Sequence, residues 1–196
     1  MIGHDSIDKI LNALDKNIGI NKKKKISIVV CGGSALFALN LIKRTTKDVD
    51  VLGQIDEEKK KNTIIYMEKF PDWFELSAKT VAKDFNLPED WINLGPSDQV
   101  KSGLPERLFE RLTKKVYGKY LSVFFISRID QIFFKLYASI DRGGYHVDDL
   151  FALNPTNEEL FNACKWVLTQ DVSEGFKLLL KDFLKKTNNN EIAERI

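Results

Sequence analysis

Apolar residues recur along the chain with two different periods, and their distribution predicts an α+β fold. Spacings of three or four residues, typical of helices, occupy 5–14, 34–42, 56–70, 73–84, 105–112, 128–140, 146–153, 155–169 and 172–186. Extended runs rich in Val, Ile and Phe occupy 26–31, 48–52, 115–117 and 120–126. We also expect a turn and short helix over 86–93, and a frayed end after 188.

The extended runs all lie in the first two-thirds of the chain, and only helical patterns follow them. No repeat or long linker divides the chain. We therefore expect a small mixed β-sheet core flanked by helices over 1–126, and a C-terminal helical region over 127–196 packed on that core. The 196 residues, 43% of them hydrophobic, are enough to bury a sizeable core.

The first two strands carry the residues with the clearest chemistry. The first strand ends in Gly32-Gly33-Ser34, which opens a helix, and thirteen residues later the second begins as Asp48-Val49-Asp50-Val51. Because alternate residues of a strand share a face, Asp48 and Asp50 project together and the valines project oppositely. Two such carboxylates can hold one or two Mg²⁺ ions, which also keep waters and substrate phosphates as ligands.

Phosphate groups fit the residues on either side of these acids. Glycines at 32 and 33 let the backbone approach a phosphate closely, and a helix start offers it N–H groups. The Ser34 hydroxyl can add a donor. Arg44 and Lys47, just before the acids, are placed to meet phosphate or developing negative charge. The pattern therefore predicts a site for a nucleoside triphosphate (NTP) beside a divalent metal.

This arrangement resembles the DNA polymerase beta-type nucleotidyltransferase superfamily. More narrowly, it is similar to small bacterial nucleotidyltransferase-like proteins related to the abortive-infection toxins of type IV toxin–antitoxin systems. Beyond the glycines and the two acids, the resemblance rests on Arg44 to Lys47, Asp90 to Asn93, Leu121 to Val123, Lys135 to Ala138 and Asp149-Leu150. It covers about residues 26 to 153.

The resemblance implies an enzyme that transfers a nucleoside monophosphate from an NTP to an RNA or protein hydroxyl. Asp48 and Asp50 would bind Mg²⁺, and residues 32–34 with Arg44 and Lys47 would bind the nucleotide. Lys135 and Asp149 would complete the catalytic group from the helical side. A toxin-like role and a cognate antitoxin partner are also implied.

One departure from the superfamily favours a second hypothesis. Many members carry a third acid on a later strand, but the matching strand 121–126 has none. His146, Asp148 or Asp141 could supply the base instead, although His146 is more simply a surface residue at a helix start. The alternative is a catalytically inactive module of the same fold that binds a nucleotide or a partner. A weaker third hypothesis makes the helical face 176–184 an interface.

Charge, cysteines and hydropathy narrow the class of protein only modestly. The net charge of +2 neither requires nor excludes a nucleic-acid partner. The run Lys22 to Lys25 is expected to be a solvated loop, with a phosphate-attracting edge as the alternative. Two cysteines do not make a disulfide framework. With no apolar run long enough to cross a bilayer and no signal-peptide pattern, we expect a cytoplasmic protein without a membrane partner.

Overall fold

The computed structural model describes residues 4–39, 41, 46, 48–57 and 63–196. The chain divides into two compact units, Met1–Ser127 and Arg128–Ile196. The first unit contains the sheet with several helices, and the second is helical. This mixed architecture confirms the α+β fold class that the two hydrophobic periods predict.

The first unit is built on a six-stranded mixed sheet. Its strands are β1 (Ile26–Cys31), β2 (Val49–Ile55), β3 (Ile64–Ile65), β4 (Ile92–Asn93), β5 (Thr113–Val116) and β6 (Leu121–Phe125). Its helices are α1 (His4–Asn21), α2 (Gly32–Ala38), α3 (Asp72–Asp84) and the short α4 (Gln99–Ser102), with a 3₁₀ turn at Leu108–Arg111. The strand order is β3-β2-β1-β6-β5, and β4 pairs with β2. The pairs β1–β6 and β2–β4 are parallel, whereas β1–β2, β2–β3 and β5–β6 are antiparallel.

One face of this sheet packs on α1 and α3. The core residues of β1 are Ile26, Ile28 and Val30, which alternate along the strand and therefore share that face. Trp91 is fully buried in the same core, as expected for a large aromatic side chain, and its Nε1–H donates to the Ala78 carbonyl at 3.0 Å. The opposite face of β1 carries Ser27, Val29 and Cys31. Gly32 follows directly after Cys31, the last residue of this strand.

The second unit consists of five helices. They are α5 (Arg128–Asp141), α6 (Tyr145–Ala152), α7 (Asn157–Gln170), α8 (Glu174–Lys186) and α9 (Asn190–Arg195). A capping box starts α7: the Thr156 hydroxyl accepts from the Glu159 N–H, and the Glu159 carboxylate accepts from the Thr156 N–H. Arg128 on α5 pairs with Glu159 and donates to the carbonyls of Leu153 and Asn154, which ties α5 to the start of α7.

Three predictions from the hydrophobic pattern are wrong, and a fourth, the helix over 105–112, is only the 3₁₀ turn Leu108–Arg111. Where a helix is predicted over 56–70, the described residues 63–70 contain β3, because Ile64 and Ile65 pair with the end of β2. Where 86–93 predicts a turn and a short helix, Ile92 and Asn93 form β4. The last residues form α9 instead of fraying, since Ile192 and Ala193 are buried. The described part of the chain contains no helix with the length and apolarity that a bilayer crossing requires.

Candidate functional site

Gly32 brings the two parts of the sequence motif into contact. It follows β1 directly and has a φ of +69°, a left-handed conformation that side chains disfavour and glycine adopts readily. A Cβ built on Gly32 would overlap Asp50 Oδ2 and would lie 3.1 Å from Asp50 Cγ. The missing side chain of Gly32 therefore makes the space that the Asp50 carboxylate occupies.

Asp50 lies where β1 ends because β1 and β2 run antiparallel. Its register partner is Cys31, the last residue of β1. Val49 and Val51 are fully buried in the core, whereas Asp48 and Asp50 are partly exposed, so the acids share the face that the alternation predicts. The buried Thr46 hydroxyl lies 3.2 Å from the Asp48 carbonyl oxygen and 3.5 Å from Asp48 Oδ1, which restrains the first acid.

The structure describes only some of the remaining residues of the motif. Gly33 and Ser34 are buried at the start of α2. The Ser34 hydroxyl donates to the Cys31 carbonyl at 3.3 Å, so in this structure it stabilises its own turn. Arg44 and Lys47, predicted to meet phosphate, lie outside the described residues. Their roles, like that of Ser34 toward a nucleotide, stay predictions.

Asn93 belongs to the Asp90–Asn93 segment of the resemblance, and its place beside the acids is one that the hydrophobic pattern did not predict. It pairs with Asp50 across the parallel β2–β4 ladder, and the Val49 N–H donates to the Trp91 carbonyl at 2.6 Å. The Asn93 Oδ1 accepts from the Gly95 N–H at 2.8 Å, which orients its amide. Because β4 has only two residues and its partner is distant in sequence, no local periodicity could have predicted this placement.

Lys135 and Asp149, the predicted catalytic residues of the second unit, bind each other. Lys135 Nζ lies 2.7 Å from Asp149 Oδ2, and the two side chains are only 5% and 3% exposed. Lys135 is on α5 and Asp149 is on α6, so the ion pair joins these helices. A lysine this buried does not extend its ammonium along an apolar face into solvent.

The side chains around this ion pair include two aromatic rings. Lys135 Nζ lies 5.8 Å from the centroid of Tyr145, and the rings of Tyr145 and His146 have centroids 4.1 Å apart. His146 is only 9% exposed, so its interpretation as a surface residue is wrong. Asp141 and Asp148, the other candidate bases, are exposed on α5 and α6.

Comparison with family models identifies the family to which the chain belongs. Residues 7–166 match the model of a family described as nucleotidyltransferase of unknown function (DUF6036). The chain belongs to this nucleotidyltransferase family. No curated protein and no solved structure gives a significant match. The match includes Asp48, Asp50 and the Lys135–Asp149 pair, so the family spans both units.

The possible metal ligands in the candidate site of this nucleotidyltransferase family member fit a magnesium ion. Asp48 and Asp50 offer carboxylate oxygens on one face, and Gly32 leaves room beside them. Among the residues that the structure describes, no three His, Cys, Asp or Glu side chains form a metal-binding group. Magnesium commonly binds through one or two carboxylates and takes its other ligands from water and substrate phosphates, so two acids fit it.

Proposed function

We propose that the chain is a Mg²⁺-dependent nucleotidyltransferase that moves a nucleoside monophosphate from an NTP to an acceptor hydroxyl. The observation that supports this most strongly is the contact between Asp50 and Gly32 at the end of β1. It joins the acids and the glycine turn, the two parts of the motif whose order and spacing suggested an NTP beside a metal. Membership of a nucleotidyltransferase family supports the same reaction class.

Each residue of the site then has a defined task. When bound, magnesium would supply positive charge beside the triphosphate. Asp48 and Asp50 would hold it, and Gly32 would leave the Asp50 carboxylate free of steric overlap. The acceptor oxygen attacks the α-phosphorus, the bond to the pyrophosphate oxygen breaks, and the hydroxyl proton passes to a base. The resemblance also assigns Lys135 and Asp149, which bind each other, to the catalytic group, and it offers His146, Asp148 and Asp141 as candidate bases.

Label transfer from an NTP tests the proposal directly. The protein is incubated with each α-labelled NTP, Mg²⁺ and either total RNA or cell protein, and the products are separated on denaturing gels. We expect label on one acceptor class, and a loss of about 10²–10³-fold in Asp48→Asn and Asp50→Asn. Asp84→Asn, which changes an exposed acid at the end of α3, is the matched control and should keep full activity. Equal labelling by all four proteins would sink the proposal.

The acceptor class and the toxin-like role are further parts of this proposal, and both derive from the resemblance. The RNA and protein arms of the labelling assay separate the two acceptors. Induced expression in a bacterial host tests toxicity: growth should stop with the unmodified chain and continue with Asp50→Asn. Growth that is equally slow with both chains would exclude a toxic activity dependent on this site.

A catalytically silent nucleotide-binding module is the second candidate function. The observation in its favour is β6, whose residues Ser122 and Phe124 lie on the same sheet face as Asp50 and provide no carboxylate there. This candidate predicts that NTP binds with help from Mg²⁺ while no pyrophosphate is released. Calorimetric titration with an NTP, followed by a pyrophosphate assay on the same sample, separates the two functions.

A further inference from the structure

An open pocket of about 670 Å³ lies in the first unit, at the end of the sheet where β1 begins. Gln54 lines it and pairs with Ile28, three residues before the Asp50 partner Cys31, so the pocket lies about 10 Å along β1 from the candidate site. The pocket is therefore separate from the two acids. Its lining is rich in lysine, namely Lys24, Lys25, Lys114 and Lys119.

Four lysines and two acids, Asp56 and Glu57, line this pocket, so its lining carries a net formal charge of +2. Glu57 accepts hydrogen bonds from Lys114 Nζ and from the Ser27 hydroxyl, and these two bonds lower the pKa of Glu57. Glu57 and Lys114 thus neutralise each other. Lys24 and Lys25, in contrast, form no ion pair with any described residue. The second half of the Lys22–Lys25 run therefore presents its charges to the pocket.

Two aromatic side chains lie beside these charges. Trp73 and Tyr120 line the pocket and are only partly buried, and Lys119 Nζ lies 5.7 Å from the centroid of the Tyr120 ring. Lysines that attract phosphate, next to rings on which bases stack, are how proteins bind single-stranded nucleic acids. An acidic polypeptide would form ion pairs with the lysines but would gain little binding free energy from the rings.

The wall that carries Tyr120 is held in place by α1. Asp15 Oδ1 accepts from the N–H groups of Tyr120 and Leu121 at 2.7 and 2.8 Å. Gly118 allows the Asp15 carboxylate to pack against the turn, and the Tyr120 ring packs on Gly19. Because these contacts already fix the turn, a ligand would lose little binding free energy in ordering it.

We propose that this pocket binds single-stranded nucleic acid, with phosphates on Lys24, Lys25 and Lys119 and a base against Trp73 or Tyr120. RNA and DNA share this chemistry, and contacts to the 2′-hydroxyl would favour RNA. Binding here requires neither Mg²⁺ nor an NTP. The proposal therefore goes beyond transfer activity and can fail or succeed independently of it.

Fluorescence anisotropy with labelled oligouridylate and oligodeoxythymidylate of about twelve nucleotides tests the charge part of this proposal. The full-length protein is titrated at salt concentrations from about 50 to 200 mM. For Lys24→Gln/Lys25→Gln we expect affinity to fall ~25-fold at about 0.1 M salt and the logarithmic salt slope to fall by ~1.4, the effect of losing two phosphate contacts. Lys22→Gln/Lys23→Gln changes the same net charge in the same run outside the lining, and should leave both values unchanged.

Tryptophan fluorescence tests the aromatic part. Trp91 and Trp166 are buried, so quenching by a bound base should report Trp73. Trp73→Phe should abolish the quench while the labelled oligonucleotide still binds, and Trp73→Leu/Tyr120→Leu should weaken binding, with circular dichroism checking the fold. Asp50→Asn should bind like the unmodified protein.

Three results would overturn the pocket assignment. The first is no oligonucleotide binding at the lowest salt. The second is a loss of affinity in Lys22→Gln/Lys23→Gln equal to that in Lys24→Gln/Lys25→Gln. The third is binding of polyglutamate as tight as that of RNA, with no effect of removing the two rings. Comparing the two oligonucleotides then decides between RNA and DNA. None of these outcomes changes the label-transfer assay that tests Asp48 and Asp50. Failure of the pocket assignment is therefore distinguishable from failure of the proposed reaction.

Discussion

At the scale of single residues, the contact between Gly32 and Asp50 links backbone conformation to the chemistry of the site. Gly32→Ala would place a methyl group where Asp50 Oδ2 lies. It would also force a side chain into a left-handed conformation at a cost of about 1–2 kcal/mol. We expect transfer activity to fall about as far as in Asp50→Asn, because the carboxylate must turn away, while urea denaturation shows only the modest loss of stability from strain.

Gly143→Ala is the matched control for this variant. Gly143 has a φ of +62°, close to that of Gly32, but its Cβ would meet only the Ser139 carbonyl oxygen at 4.0 Å. It therefore carries the backbone strain without displacing an acid. If Gly143→Ala and Gly32→Ala lose activity equally, strain alone explains the effect and the steric link to Asp50 is wrong.

The sequence allowed part of this site to be predicted. Asp48, Asp50 and the glycine turn are local features, and their order along the chain indicated a nucleotidyltransferase, a family that the model comparison then showed. The close approach of Gly32 to Asp50 depends on the register between β1 and β2, which no local pattern encodes. The placement of Asn93 beside Asp50 likewise depends on the register between β2 and β4. The Ser34 hydroxyl donates to the Cys31 carbonyl of its own turn, and the sequence alone does not show which acceptor a serine hydroxyl takes.

At the scale of elements, the Lys135–Asp149 pair is the clearest link between two helices. Lys135→Met would leave Asp149 buried without that cation, and breaking a buried pair in this way costs about 3–5 kcal/mol. Replacing both residues, as in Lys135→Met/Asp149→Leu, should recover most of that stability because neither charge of the pair is left. If the pair acts on the triphosphate, transfer activity stays lost in the double variant.

Urea denaturation and label transfer on the same four proteins complete this cycle. Recovery of stability without activity supports a functional pair. Recovery of both would mean that the ion pair only joins α5 to α6. A double variant as unstable as Lys135→Met would contradict the assignment of the loss to an uncompensated buried charge.

The bond between Arg128 and Glu159 predicts a pH dependence. Hydrogen bonding to Arg128, followed by the Thr156 N–H, lowers the pKa of Glu159 below its ordinary 4.5. Because the folded-state pKa is the lower one, the stabilisation is present above about pH 4.5 and is lost as pH falls through the folded-state value. Glu159→Gln should reduce the free energy of unfolding by about 1–2 kcal/mol at neutral pH. The difference from the unmodified protein should shrink toward about pH 3.

Glu158→Gln is the control, since Glu158 is exposed in the same first turn of α7. Its stability should follow that of the unmodified protein across the pH range in urea denaturation. A Glu159→Gln deficit that stays constant with pH would mean that the ionised carboxylate is not its source.

The same element shows why some of the fold could be predicted and some could not. The start of α7 has its signal within four residues, since Thr156 and Glu159 form the capping box, and this helix lies where the pattern places it. The two-residue strands β3 and β4 take their stability from β2. Residues 56–70 have a helical period in the sequence, but pairing with the preceding strand β2 decides the structure of Ile64 and Ile65.

At the scale of the whole molecule, the two compact units have separate sets of buried residues. The core of the first unit runs from Ile7 to Phe125 and joins α1, α3 and the sheet. In the second unit, Tyr137 contacts Trp166 and Phe176, with ring centroids 6.4 and 5.8 Å apart. The family match ends at residue 166, so α8 and α9 add to the second core beyond the matched segment.

The burial of residues on α8 predicts where a core mutation in this helix acts. Leu180 is fully buried and its neighbour Leu179 is 58% exposed, so Leu180→Ala should cost about 2–5 kcal/mol and Leu179→Ala less than about 0.5 kcal/mol. Hydrogen exchange followed by mass spectrometry should then show faster exchange in peptides of α5, α7 and α8 in Leu180→Ala alone, with β1 and β2 protected as in the unmodified protein. Equal loss of protection in β1 and β2 would mean that the units unfold as one, because a local cavity in α8 could reach the sheet only through shared cooperativity.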